Sequence, residues 1–290
     1  MKWTDFRAEE NKKVKLKDYP TAPNKELKEK KDSYIKKTAK NLEKIAALQE
    51  RLYADGRQGL VIVLQAPDAA GKDSIIKHVM TALNPQGVDV YAFKAPSSKE
   101  LSHDFLWRVS SCLPPRGKIA IFNRSHYEDV LVVKVHGINK GYHMPDQYKG
   151  DDIFKKRYRH IRDFEEYLYE NALRVVKVFL NLSKEEQKTR FLERLNTPDK
   201  NWKFNPDDLK EREYWADYQE AYEDAIFETS TNHSPWYIVP ADKKWYTRYV
   251  VSEIVKHALE TIDPEYPKLP DEDVEKIPDY KKMLDDGAGK

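Results

Sequence analysis

With 290 residues, 40% of them hydrophobic and 34% charged, and a mean hydropathy of −0.83, the chain can bury one large core or two modest ones and has the composition of a soluble protein. Its apolar runs are strand-sized, far below the ~20 residues that cross a bilayer, and "MKWTDFRAEE" lacks a signal-peptide core, so a cytoplasmic protein with no membrane partner is expected. The single cysteine, Cys112, excludes an intramolecular disulfide framework and any cysteine-cluster metal site, and its flanks "WRVSSCLPP" suggest an inert helix-end residue. The net charge of +2 hides an asymmetry, because residues 1–50 carry fourteen Lys/Arg against nine Asp/Glu, whereas residues 263–290 carry nine acids against five bases.

Taken in order, residues 1–24 read as an N-terminal extension. Leu27, Ile35, Leu42, Ile45, Leu48 and Leu52 then recur at helical spacing, with Asn24 as N-cap and Asp55-Gly56 as the stop. Five strand-like runs follow, at 60–64, 88–93, 118–123, 174–180 and 236–239. Helices are expected at about 98–113, 184–195 and 206–228, the first two opened by the S-x-x-E capping boxes at Ser97 and Ser183. Strands alternating with helices require crossover connections, so the expected fold is α/β: a three-layer sandwich with a five-stranded parallel sheet between helices. The α/β domain is placed at 25–260 with a helical lid near 184–212. Residues 261–290, acidic and proline-rich, read as an extended tail.

The chemistry concentrates after the first strand. "QAPDAAGKDS" (65–74) has the strand–loop–helix setting of a phosphate loop, but Ala66 stands where G-x-x-x-x-G-K-[ST] has its first glycine, and Asp73 where it has the magnesium-binding hydroxyl. Lys72 is expected to reach a phosphoryl oxygen, with Ala69, Ala70, Gly71, Asp73 and Ser74 around the phosphates. Because Asp73 cannot act as the hydroxyl and Ser74 lies one position late, a carboxylate must replace it as a ligand of Mg²⁺, and Asp68 is the candidate; the alternative is a turn residue bonded to its own backbone. After the third strand, "NRSHYED" supplies Asn123 as a neutral oxygen, Arg124 as a forked cation, and Glu128 and Asp129 as further carboxylates for phosphate or metal. Either acid alone could simply be a solvated helix start.

These stretches together, "QAPDAAGKDS", "FNRSHYEDVLVVKVHG" and "RFLERLNTPDKNWKFNPDDLKEREYWADY", resemble the polyphosphate kinase 2 family over roughly residues 25–255, with the Asn123 form similar to class III members. The resemblance implies a P-loop kinase-like fold related to thymidylate kinase and Mg²⁺-dependent, reversible transfer between inorganic polyphosphate and nucleoside mono- and diphosphates (AMP, ADP, ATP). It also implies an active site at Asp68, Lys72, Asn123 and Arg124, and a homodimer or homotetramer. Adenine and guanine nucleotides (GMP, GDP) are not distinguished.

Since phosphoryl transfer asks mainly for positioning and charge neutralisation, cations should converge. Arg190 and Arg194, four apart on one helix, are expected as lid arginines, and Lys200 and Lys203, flanking Trp202, as part of a mobile cover. Pairing of the arginines with Glu186 and its neighbours is the competing reading. Lys77, Lys94, Arg116, Lys134 and Arg157 are candidates for a polyphosphate track, while His126, His136 and His143 lack metal-ligand spacing. Two rivals remain: an ATP-dependent nucleoside monophosphate kinase, and a non-catalytic polyanion-binding protein. The near-neutral net charge disfavours the second, and no nucleic-acid partner is expected.

Overall fold

A computed structural model describes residues 2–150 and 152–287. Five parallel strands, β1 (Gly59–Gln65), β2 (Val88–Ala92), β3 (Ile119–Asn123), β4 (Leu173–Asn181) and β5 (Trp236–Pro240), form one sheet in the order β2-β3-β1-β4-β5. Each strand matches an expected run to within two residues. The α-helices are α1 (Lys25–Glu29), α2 (Lys31–Asp55), α3 (Lys72–Val79), α4 (Ser98–Leu101), α5 (Trp107–Ser110) and α6 (Val132–His136), then α7 (Ile153–Glu170), α8 (Lys184–Asn196), α9 (Asp207–Glu211), α10 (Trp215–Thr229), α11 (Lys244–Ile262) and α12 (Asp271–Gly287).

Strand alternation divides the core into two layers. Leu60, Ile62, Leu64, Ile119, Ile121, Val176, Val178 and Leu180 face α2, α3 and α11. Val61, Val63, Ala120, Phe122, Val175 and Phe179 face α7 and α10. Full burial of each such side chain stabilises by roughly 1.5–3 kcal/mol relative to exposure. Strand β1 can enter between its neighbours because Gly59 has no Cβ: one added there would lie 2.6 Å from Leu173.

Several expectations need correction. The leading helix has its Asn24 cap, accepting from Leu27 N, and its left-handed Gly56 stop, but it breaks at Lys30 into α1 and α2. Tyr34 faces the core in place of Ile35, which is exposed. The stretch 98–113 is not one helix, since Asp104 caps a turn by accepting from Leu106 N between α4 and α5. A 3₁₀ turn at Arg212–Tyr214 likewise divides 206–228. The tail is not extended: Asp271–Gly287 is helical despite Pro278. The N-terminal extension packs onto the domain: Phe6, Ala8, Val14 and Leu16 are buried and Ala8 N donates to Trp236 O, covering the β5 edge. No described helix is long and apolar enough to cross a membrane.

Candidate functional site

In a parallel sheet the carboxyl ends of the strands share one rim, and β1 and β3 end there side by side. After β1 the chain turns through Ala69 (φ 61°) and Gly71 (φ 107°) into α3 at Lys72. The left-handed backbone is natural for Gly71 and costs about 1–2 kcal/mol at Ala69. Two side chains of α8 hold that turn from behind. Arg190 donates to the carbonyls of Ala69 (2.9 Å), Ala70 (2.8 Å) and Ala241 (2.6 Å), and its Nε donates to Glu186. Gln187 donates to Asp68 O (3.0 Å).

Arg190 is thus a buried brace and not the mobile lid arginine expected, although its carboxylate pairing with Glu186 is present. Arg190→Met should leave three carbonyls without this donor and lower stability by about 3 kcal/mol, read as an earlier urea midpoint at unchanged slope.

The exchanged loop residues have partners. Asn123 Nδ2 donates to Asp73 Oδ1 (2.8 Å), so the carboxylate standing in place of the usual hydroxyl ties the start of α3 to the end of β3. Ser74 Oγ accepts from Arg248 of α11 (3.0 Å). Lys72 Nζ donates to Ala66 O (2.9 Å), and burial together with the Arg124 guanidinium pushes its ammonium below the usual lysine range. A lysine folded onto its own loop can exchange that carbonyl for a phosphate oxygen.

Arg124 also holds a left-handed backbone (φ 64°), with its N–H donating to Leu64 O. Its guanidinium donates to Asp68 Oδ1 (2.9 Å) and lies 3.6 Å from Glu128 Oε2. Burial pushes the Glu128 carboxyl above its usual range, against the opposing pull of Arg124 and Lys72. Because the folded pKa lies above the unfolded one, the native state loses stability as pH rises through that interval, and at pH 7 the carboxylate is a net cost. Glu128→Gln is therefore expected to unfold at pH 7 at or above the wild-type temperature, with the difference closing below about pH 4, and to lose activity.

Asp129 does not join this group. Its carboxylate accepts from Tyr142 OH (3.2 Å) and lies 3.5 Å from Arg157, whose guanidinium also donates to Asp129 O. The 3₁₀ turn His126–Val130 points adjacent residues to different sides, so the Glu-Asp pair splits between two cavities. Burial pushes Asp129 above the usual carboxylate range, against Arg157.

A groove of about 820 Å³ runs over the phosphate loop. It gathers residues 68–74, Asn123, Arg124, Arg190, Arg194, Lys200 and Lys203, all expected, together with Lys94, Asp208 and Lys244. Arg194 donates to Lys203 O (3.1 Å) and lies 3.4 Å from Asp208, Lys200 pairs with Glu193, and Trp202 is 78% exposed under the Lys203 ammonium. Of the five track candidates only Lys94 lines this groove. Arg116 donates to Asn171 O, Lys134 pairs with Asp224, Arg157 is engaged with Asp129, and Lys77 is exposed on α3.

The same loop closes a tighter pocket with Glu128, Gln187, Asp208, Glu211, Arg212, Trp215, Tyr218 and Tyr222. A third cavity, about 350 Å³ and mostly apolar, lies beyond Asp129 between α4, α5 and α7, with Phe105, Tyr142 and Arg157 on its walls. Sequence reading missed Gln187, Asp208, Arg212, Lys244 and Arg248. Lys244 and Arg248 lie four apart at the start of α11, and that spacing after the fifth strand was the available signal.

Asp68 and Glu128 offer the hard oxygen donors that Mg²⁺ prefers, and a cation carried by substrate phosphates needs only one or two protein carboxylates. Asp129 does not fit that role. Among the described residues no group of three or more His, Cys, Asp or Glu side chains is arranged to hold a metal.

A parallel sheet whose central strand ends in a phosphate cradle, with lysines and arginines directed into an open groove, defines a phosphotransferase of P-loop kinase-like architecture. The family profile described as Polyphosphate kinase 2 (PPK2) matches residues 28–267. The chain is 46% identical over 270 residues to an ADP-polyphosphate phosphotransferase of Rhodopseudomonas palustris, covering 92% of this chain and 93% of the relative. It is 47% identical over 234 residues to an AMP/ADP-polyphosphate phosphotransferase of Meiothermus ruber, covering 81% and 84%. The crystal structure of Polyphosphate Kinase 2 from Arthrobacter aurescens TC1 superposes with a TM-score of 0.75 at 44% identity, covering 80% of each chain. The protein belongs to the polyphosphate kinase 2 family and is an enzyme, so the non-catalytic polyanion-binding alternative falls away.

Proposed function

We propose that the enzyme transfers the terminal phosphoryl group of inorganic polyphosphate to AMP and to ADP. The observation that carries this reading is the size and charge of the groove. Lys94, Arg194, Lys200, Lys203 and Lys244 line it around the loop lysine, a spread suited to a polyanion of many repeating phosphates. The names of the two relatives support the donor equally and differ on the acceptor, one naming ADP and the other AMP and ADP, at 46% and 47% identity.

The mechanism follows from the residues. Polyphosphate lies along the groove with its end phosphorus over the loop. The nucleotide extends its ionised terminal phosphate from the neighbouring cavity walled by Phe105 and Tyr142, for in-line attack. No general base is required, because the attacking oxygen is already deprotonated. Lys72 exchanges Ala66 O for a transferring oxygen, and Arg124 turns its fork from Asp68 to the charge that develops between donor and acceptor. Arg190 acts through the loop it braces. Mg²⁺, held by Asp68 with Glu128 and the phosphates, would neutralise further charge. The same arrangement serves the reverse direction.

The test is donor exchange at fixed ADP or AMP, following nucleotide products with long-chain polyphosphate or with ATP. Polyphosphate alone should phosphorylate ADP, with a KM for polyphosphate that rises with salt as the groove lysines are screened. Turnover of AMP with ATP and none with polyphosphate would make the protein a nucleoside monophosphate kinase.

A further inference from the structure

The β4 run "RVVKVFL" places a lysine on the strand face that Val175 and Phe179 bury, and Lys177 has no solvent exposure there. Its ammonium donates to Glu165 of α7 and to Thr229 O at the end of α10 (2.7 Å), between the rings of Tyr127 and Trp236. Glu165, 1% exposed, accepts from Ser234 Oγ (2.9 Å) and from Tyr127 OH (2.9 Å), which is also 2.9 Å from Thr229 Oγ1. Trp236 Nε1 donates to the same Thr229 hydroxyl (2.9 Å). A buried ion pair of this kind adds little net stability over apolar packing of equal volume, so its presence in the sheet asks for another reason.

Tyr127 supplies that reason, because it is the member that belongs to the active-site turn. Two residues before it stands Ser125, which accepts from both Gln65 Nε2 (3.2 Å) and Tyr127 N (3.2 Å). Arg124, held at φ 64°, precedes it, and Glu128 follows. A left-handed arginine persists only where its surroundings over-determine it. Fixed points of this turn are Leu64 O and Ser125 on one side and the Tyr127 hydroxyl on the other, with Asp129 O held by Arg157 beyond Glu128. His126, 3% exposed between them, has no hydrogen-bond partner at either ring nitrogen among the described residues; its ring packs against Tyr127 and its Nε2 lies 3.8 Å from Glu165 Oε1.

We infer that Tyr127, anchored through its hydroxyl to the buried Glu165–Lys177 pair, is a positioning residue that aims Arg124 and Glu128 at the transferring phosphoryl group. The inference rests on the phosphotransfer reading above. The same anchor ties the end of α10, whose first turns carry Trp215 and Tyr218 into the pocket beside Asp68. Helix α10 and the active-site turn therefore share one fixed point inside the core.

Tyr127→Phe tests this with almost no change of volume, and Glu165 keeps Lys177 and Ser234. The expected result is a ten- to hundredfold fall in kcat, KM values for polyphosphate and ADP within about twofold, a thermal midpoint close to wild type, and a displaced Arg124 Nε–H resonance, assigned by its loss in Arg124→Lys. Wild-type kcat, an unmoved Arg124 resonance, or a kcat loss that only follows the unfolded fraction would overturn it. The resonance keeps the two readings separable: a wild-type protein inactive with polyphosphate would refute the donor assignment, while the resonance would still report whether Tyr127 aims Arg124.

Discussion

Lys72→Ala is expected to lower kcat with polyphosphate about 10³-fold while leaving the fold intact, measured as nucleotide product formed per enzyme at saturating ADP and compared with the thermal midpoint. The activity loss follows from removing the one cation that the helix start directs over the loop, where a preorganised charge stabilises the transferring group. The folded state should tolerate the change because Lys72 makes a single described bond, to Ala66 O, and burial already pushes its ammonium below the usual range. Losing that desolvated charge offsets losing the bond.

Arg124→Lys should cost about 10²-fold in kcat although the charge is kept. A lysine cannot engage Asp68 and face Glu128 with a planar fork, as the guanidinium does at 2.9 and 3.6 Å, and it cannot address two phosphate oxygens in parallel. Steady-state kinetics on the purified variant decides the matter. A tenfold rise in KM at unchanged kcat would place Arg124 in ground-state binding, contrary to its proposed role in the transition state.

Much of the fold was legible because its signals are local. All five strands were marked by apolar runs between turn residues, and the Ser97 and Ser183 caps form as expected, accepting from Glu100 N and Glu186 N. The centre of the candidate site was legible for the same reason: Asp68, Lys72, Asn123 and Arg124 stand at or just after the carboxyl ends of two neighbouring strands, so chain order and sheet topology bring them together. Long-range pairing was not legible. Arg190 and Arg194 share a helix face, but only tertiary structure shows that one is consumed by the carbonyls of Ala69, Ala70 and Ala241 while the other reaches Lys203. Glu128 and Asp129 are adjacent in sequence, and it took a 3₁₀ turn to send them to opposite cavities. Lys177 reads in sequence as a polar interruption of a strand, and its burial depends on Glu165 arriving from α7.

The measurement that bears most directly on the account starts from AMP alone. Purified enzyme, Mg²⁺, AMP and long-chain polyphosphate are sampled over time, and the nucleotides are separated by ion-exchange chromatography. The account predicts ADP first and ATP after it, both absent when polyphosphate is omitted. Phosphorylation of ADP with AMP left untouched would contradict the dual-acceptor assignment, and product from AMP only when ATP is supplied would contradict the donor.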